Sequence, residues 1–229
     1  RDEDGGLKTA NALKAANRLS FAELWLKALG LRSSSARPGP VLRLEARDRA
    51  TARRIAKSPA FRGRGPVLAV NPGAGARWPA KQLSEEKAAR VLMALGRRLD
   101  GPLLLLGGKD ELSRNRRIAA RAKSLEPRLR LVLPGSLPLR SFAALLELCA
   151  ALVTTDSLAL HLATALQRPA VALVGPTSAA ELDFFGRGLA LQPSGGCGCF
   201  YKPLCARPRP CLDEIAEEDI IAGVLRCLK

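Results

Sequence analysis

From residue 67 onward the chain alternates short apolar runs with stretches of helical periodicity. The runs fall at 67–70, 103–106, 131–133, 151–153 and 170–174. They are apolar at nearly every position, as expected of strands covered on both faces rather than one. Between them, helical spacing predicts helices near 84–99, 110–124, 141–149 and 157–167. Right-handed crossovers joining such strands give a doubly wound parallel sheet, so the fold class is α/β. A closing helix over 217–228 would bury Ile220, Ile221, Val224 and Leu225.

Before residue 65 the texture differs. Residues 7–30 predict one or two amphipathic helices, with Leu7, Ala10, Leu13 and Ala16, then Leu19, Leu24, Leu26 and Leu29, stopped by Gly30. A Ser/Pro/Gly linker over 33–40 leads into Val41-Leu42-Arg43-Leu44, which alternates like a short strand. A basic helix over 48–58, with Arg49, Arg53, Arg54 and Lys57, then runs into a loop at 62–66.

Composition narrows the choice of partners. The 229 residues are 47% hydrophobic and 25% charged, as in a globular protein of one or two domains. The net charge of +16 calls for an anionic partner such as a nucleotide diphosphate, a phosphorylated glycolipid, an acidic lipid or nucleic acid. Aromatics at 4% are too few for a single-strand stacking platform, and the basic residues are spread out, so nucleic acid is not the expected partner. No apolar run reaches the roughly 20 residues of a membrane span, and no secretory leader opens the chain. The expected location is cytoplasmic, with peripheral contact at the anionic inner membrane face. The first residue is Arg1 rather than Met, and an upstream portion is expected.

Candidate chemistry clusters where strands end. After the first run comes Asn71-Pro72-Gly73-Ala74-Gly75-Ala76-Arg77-Trp78-Pro79, in which Gly73 and Gly75 let backbone approach an anion and Arg77 offers a forked cation. The same segment is equally readable as a plain loop plugged by Trp78. After the second run, Gly107-Gly108-Lys109-Asp110-Glu111 offers carboxylates to a ribose diol, or Asp110 as a helix cap. The loop Gly135-Ser136-Leu137-Pro138-Leu139 can present backbone groups to a purine edge, with Ser141 as the next helix cap.

The fourth run ends in Thr154-Thr155-Asp156-Ser157-Leu158, where N–H groups at a helix start favour a diphosphate. His161, the single histidine, lies one turn later, on the face of Ser157. A lone helical histidine ordinarily serves packing, but the strand-end setting argues for function. One histidine also excludes H-E-x-x-H zinc chemistry. The fifth run ends in Gly175-Pro176-Thr177.

Six cysteines are present. Cys149 and Cys227 read as buried helix residues. Cys197, Cys199, Cys205 and Cys211 are spaced C-x-C-x5-C-x5-C, which departs from the paired C-x2-C knuckles of most structural zinc sites. Reduced or adventitiously paired thiols are expected there ahead of zinc, and no other metal or cofactor is expected.

Taken in order, Asn71-Pro72-Gly73 with Arg77-Trp78-Pro79, Gly107-Gly108 with Asp110-Glu111, Asp156-Ser157 with His161-Leu162-Ala163, Gly175-Pro176-Thr177 and the tail closing at Cys211 resemble glycosyltransferase family 9, the bacterial heptosyltransferases of the lipopolysaccharide inner core. The resemblance is close over 65–229 and loose over 1–64.

It implies a two-domain GT-B architecture, with residues 65–229 as the Rossmann-like donor-binding domain. Residues 1–64 would be the end of the acceptor domain plus the interdomain linker. It also implies inverting, metal-independent transfer from a nucleotide-sugar donor, typically ADP-L-glycero-D-manno-heptose, to a lipid-linked or phosphorylated saccharide acceptor. The general base would lie in the acceptor domain, upstream of this chain. By position, Asp156 and Ser157 would contact diphosphate and sugar, Glu111 the ribose, and the loop at Leu137 the adenine. Gly73, His161 and Gly175 fall in the matching blocks.

The family's phosphate-binding lysine before Trp-Pro is Ala76 here, leaving Arg77 or Lys81 to substitute. The glycine usual after the Asp-Ser pair is Leu158, which points to a divergent subfamily. A non-catalytic module derived from such an enzyme is the alternative reading, and a basic nucleic-acid-binding protein the second alternative.

Overall fold

A computed structural model describes residues 6–32, 39–61 and 65–229. Most of the linker expected over 33–40 and part of the loop at 62–66 lie outside the described residues, as does the side chain of Leu7. Six strands, β1 (Leu68–Asn71), β2 (Leu103–Leu105), β3 (Leu131–Val132), β4 (Ala151–Thr155), β5 (Ala170–Leu173) and β6 (Gly188–Leu191), form one sheet in the order β3-β2-β1-β4-β5-β6. Every pairing is parallel. The expected α/β fold is therefore present.

The continuous apolar runs work because both faces are covered. Leu68, Val70, Leu103, Leu105 and Val153 pack on one side with α4 (Glu85–Leu99), α5 (Leu112–Leu125) and α8 (Glu217–Cys227). Ala69, Leu104 and Leu152 point the other way, into a core built with α3 (Ala46–Ala56), α6 (Leu139–Glu147) and α7 (Leu158–Ala165). Period-two alternation thus sends every second residue into a different core. Each fully buried leucine contributes roughly 1.5–3 kcal/mol relative to exposure, so polar substitutions on either face would be costly.

Ahead of the sheet lie α1 (Gly6–Ala16) and α2 (Phe21–Ala28). Ser20 and Glu23 close a reciprocal cap on α2, at 3.3 Å and 2.8 Å. The helix α3 is bound to α6 by two ion pairs. Arg49 grips Glu147 with two donors at 2.5 and 2.8 Å, and Arg140 Nη2 lies 2.8 Å from Asp48. Hydrogen bonding to Arg140 holds the Asp48 carboxyl below its usual range, and Arg49 does the same for Glu147. Leu44 and Ala52 belong to the core they share with α6 and α7.

Four local expectations require correction. Residues 41–44 form no regular element and pair with no strand; Leu42 N–H instead donates to the Ala165 carbonyl at 3.2 Å, satisfying the end of α7. A sixth strand, β6, goes beyond the predicted runs because it is a half-buried edge without a long apolar signature. Pro138, not Ser141, caps α6, and Ser141 sits inside the first turn. Asp110 lies in a short 3-10 turn, so α5 begins at Leu112 and Asp110 does not cap it.

Candidate functional site

The chain reverses its direction of winding between β1 and β4, and in open α/β sheets ligands bind outside the carboxyl ends of strands at that point. Both strand ends there carry polar groups rather than closing over. A cleft of about 350 Å³ opens between them, lined by Asn71, Gly73, Gly75, Gly107, Glu111, Leu137, Phe142, Ser157 and Leu158 among others.

Glu111 organises its floor. The residue is 8% exposed, and its carboxylate accepts N–H bonds from Gly75 at 3.2 Å and Gly108 at 2.7 Å. The glycines of the two loops explain the close approach: a Cβ on Gly73 would overlap the Glu111 carboxylate. Gly75 takes φ +73°, a conformation other residues rarely adopt. A carboxylate has about four lone-pair sites, so two N–H contacts leave room for a diol. Leu137, Leu139 and Phe142 supply an apolar wall opposite.

Next to Glu111 lies a small hydroxyl network. Asn71 Nδ2 donates to the Gly73 carbonyl at 2.8 Å and to Ser157 Oγ at 3.1 Å, while Thr154 and Ser157 hydroxyls lie 2.9 Å apart. Thr155 also bonds the Gly73 carbonyl, at 3.0 Å, which ties the β1 loop to β4. Ser157 is the N-cap of α7 but makes no capping bond to the helix. Its hydroxyl bonds Asn71 and Thr154 instead, and the residue lines the cleft.

A second cleft, of about 500 Å³, is lined by Asp156 together with Arg77, Trp78, Lys81, His161, Thr177, Glu181 and Tyr201 among others. Asp156 Oδ2 accepts from Lys81 Nζ at 2.7 Å and from Thr177 Oγ1 at 2.7 Å. The Lys81 and Asp156 side chains are 18% and 14% exposed, so the pair is only partly screened by water. Lys81 Nζ also lies 5.1 Å from the centre of the Trp78 ring. Tyr201 donates to Glu181 at 2.7 Å, and burial first, then Glu181, pushes its phenol well above the ordinary range.

The residues singled out in the sequence are thus divided. Gly73, Glu111, Leu137 and Ser157 line the first cleft, whereas Arg77, Lys81, Asp156 and His161 line the second. Ser157 and His161 do not share a face: Ser157 is extended, at φ −146° and ψ 172°, so helical spacing does not reach back to it. Gly175 lines neither cleft; it is buried, and a Cβ there would press on Leu212 and the Cys211 sulfur. Phe142 and Tyr201 were missed. The first reads as an ordinary core position of α6, and the second sits in the cysteine loop, where nothing local announces a cleft. Among the cysteines, the sulfurs of Cys197, Cys199 and Cys211 gather within 4.8 Å of one another.

A parallel sheet wound in this order is the doubly wound, Rossmann-like α/β arrangement. The chain belongs to glycosyltransferase family 9 (heptosyltransferase), whose family model matches residues 19–189. Among solved structures, a family 9 glycosyltransferase from Veillonella parvula is similar at a TM-score of 0.71 and 18% identity, over 93% of this chain and 61% of that one. ADP-heptose lps heptosyltransferase II of E. coli is similar at 0.63 and 22%, over 87% and 57%. The E. coli heptosyltransferase WaaC, solved with ADP, gives 0.53 and 19%, over 89% and 53%. The chain therefore spans little more than half the length of these structures. No curated protein matches it significantly. The fold is that of GT-B glycosyltransferases. Among the described residues, no helix is long and apolar enough to cross a membrane.

Proposed function

We propose that this chain forms the donor-binding part of a glycosyltransferase that uses a nucleotide-diphosphate sugar, ADP-heptose, and a lipopolysaccharide-core-type acceptor. On this reading residues 65–229 are the donor domain, and residues 1–64 are the end of the acceptor domain with its linker. The first cleft takes the nucleoside: Leu137 and Phe142 flank the base and Glu111 accepts from the ribose. The N-terminus of α7 and the Ser157 hydroxyl meet the diphosphate. The sugar and its leaving phosphate extend past Asp156 into the second cleft.

The observation that carries this reading is the Lys81–Asp156 pair, 2.7 Å apart, in the second cleft, with Asp156 next in sequence to Ser157 of the first. Ala76 occupies the family's phosphate-lysine position, and on this reading Lys81, in the short turn that follows, supplies the ammonium instead. Arg77 lines the cleft with it. In an inverting displacement the diphosphate oxygen carries off the bonding electrons, and two cations at that point would stabilise the developing charge without a catalytic metal. The base that removes the acceptor proton belongs, on this reading, to the acceptor domain.

Thermal denaturation tests it. ADP and ADP-heptose are expected to raise the Tm of the chain, Asp156→Ala to abolish the shift, and Lys81→Met to weaken it more for the diphosphate than for adenosine. Absence of stabilisation by any nucleotide diphosphate would sink the proposal. Leu158, 59% exposed at the cleft rim, favours a second reading in which a non-catalytic module keeps the donor fold. Transfer of sugar by the full-length gene product excludes that reading.

A further inference from the structure

The segment from Cys197 to Cys211 follows β6 and packs beneath the second cleft. Its backbone is bonded to both of the turns that supply the Asp156 partners: Ala80 N–H donates to the Pro203 carbonyl at 2.9 Å, and Tyr201 N–H donates to the Pro176 carbonyl at 2.6 Å. Ala80 precedes Lys81, and Pro176 precedes Thr177. The cysteine loop is thus the support on which the Lys81–Asp156–Thr177 contacts rest.

Within that loop the sulfurs converge. Cys197 Sγ lies 3.0 Å from Cys199 Sγ and 3.1 Å from Cys211 Sγ, and the latter two are 3.7 Å apart. Cys199 and Cys211 are 2% and 0% exposed. Cys205 is half-buried and packs against Cys199 and Cys211, with its sulfur outside the group of three. All four cysteines are free. Three neutral thiols crowded this closely leave weak donors facing one another, whereas one cation among them uses every sulfur. Metal–sulfur bonds of about 2.3 Å in a tetrahedron place sulfurs about 3.8 Å apart, so these three sulfurs need only a slight expansion and the adjacent Cys205 side chain a closer approach.

We propose that Cys197, Cys199, Cys205 and Cys211 form a structural four-thiolate site for one thiophilic metal ion, with zinc the ion that such a closed, all-sulfur set suits best. On binding, four S–H bonds are exchanged for four metal–sulfur bonds and the protons pass to solvent. Because all four positions are filled by protein, the ion takes no substrate; it fastens the loop under the second cleft. The C-x-C-x5-C-x5-C spacing lacks the paired knuckles, but the ion responds to where folding puts the sulfurs. Iron would use the same donors and is told from zinc by elemental analysis and by its visible thiolate absorption.

The test needs no nucleotide, so it stands apart from the donor assignment. Elemental analysis of the chain purified under reducing conditions is expected to find about one zinc or iron per molecule. Replacement by cobalt(II) should give the intense thiolate-to-cobalt and tetrahedral bands of an all-sulfur site. Cys197→Ser and Cys205→Ser should each weaken those bands, and chelation should lower Tm until zinc is restored. Because the metal content is read on the unmutated chain, a variant that fails to fold does not decide the matter. Metal-free protein whose Tm ignores added zinc overturns the proposal, as does a disulfide between any two of the four cysteines under reducing purification.

Discussion

Glu111→Gln offers the sharpest check on the first cleft. The side chain keeps its size but exchanges one carboxylate oxygen for an NH2 group, so either Gly75 N–H or Gly108 N–H, now held at 3.2 and 2.7 Å, meets a donor instead of an acceptor. A hydrogen bond to a charged group contributes about 1.5–3 kcal/mol, and an orphaned buried donor costs a similar amount. Gly108 is exposed and Gly75 half-buried, so water can reach whichever N–H is abandoned. The cost therefore falls at the low end, about 1–2 kcal/mol. In a chain of this size that lowers Tm by about 2–8 °C. The same substitution removes a charged acceptor for the ribose diol, which should weaken ADP by about tenfold to a hundredfold. Calorimetric titration with ADP and with adenosine reads the binding arm, and differential scanning calorimetry reads the stability arm. An unchanged affinity for both ligands would refute Glu111 as the ribose contact, even if Tm falls as expected; an unchanged Tm would refute its role in holding the two glycine loops.

Two further outcomes follow from individual contacts. Gly73→Ala places a methyl group where the Glu111 carboxylate lies, so ADP binding should fall sharply while the sheet stays intact by circular dichroism; normal ADP affinity would show that the loop yields freely. On the acid side, burial pushes the Glu217 carboxyl up, but hydrogen bonds from Arg90 and Lys87 outweigh it and hold the group below the usual 4.5. A depressed folded-state value means that this group stabilises the fold above its unfolded pKa and loses that contribution as pH falls through the folded value. Lys87, whose side chain is 1% exposed, depends on this partner at 2.9 Å, so Glu217→Gln should destabilise at neutral pH and flatten the loss of stability in acid. Equal acid sensitivity in the two proteins, by urea unfolding, would refute the linkage.

How much of this was legible in the chain can be seen residue by residue. Runs such as Leu103 to Leu106 announce a doubly covered strand because no polar residue interrupts them, and that inference survives any detail of packing. Edge strand β6 escaped because a half-buried strand owes its place to one neighbour, β5, rather than to a strong pattern of its own. Residues 41–44 alternate like a strand, yet they join neither edge of the sheet, and Leu42 bonds to the end of α7 instead.

The site divides in the same way. The order of the motifs, their glycines and their acidic residues by themselves indicated a polar cleft at the strand ends, since local loop chemistry and strand direction are written in adjacent residues. Tertiary structure alone decided that Asp156 serves a different cleft from Ser157, its neighbour in sequence, and that Lys81 reaches Asp156 although 75 positions separate them. It also decided that four unevenly spaced cysteines come to lie in one loop cluster. Those outcomes depend on which side of the sheet each crossover returns to and on where an extended residue interrupts a helix, and neither distance nor direction between remote residues is encoded in local spacing.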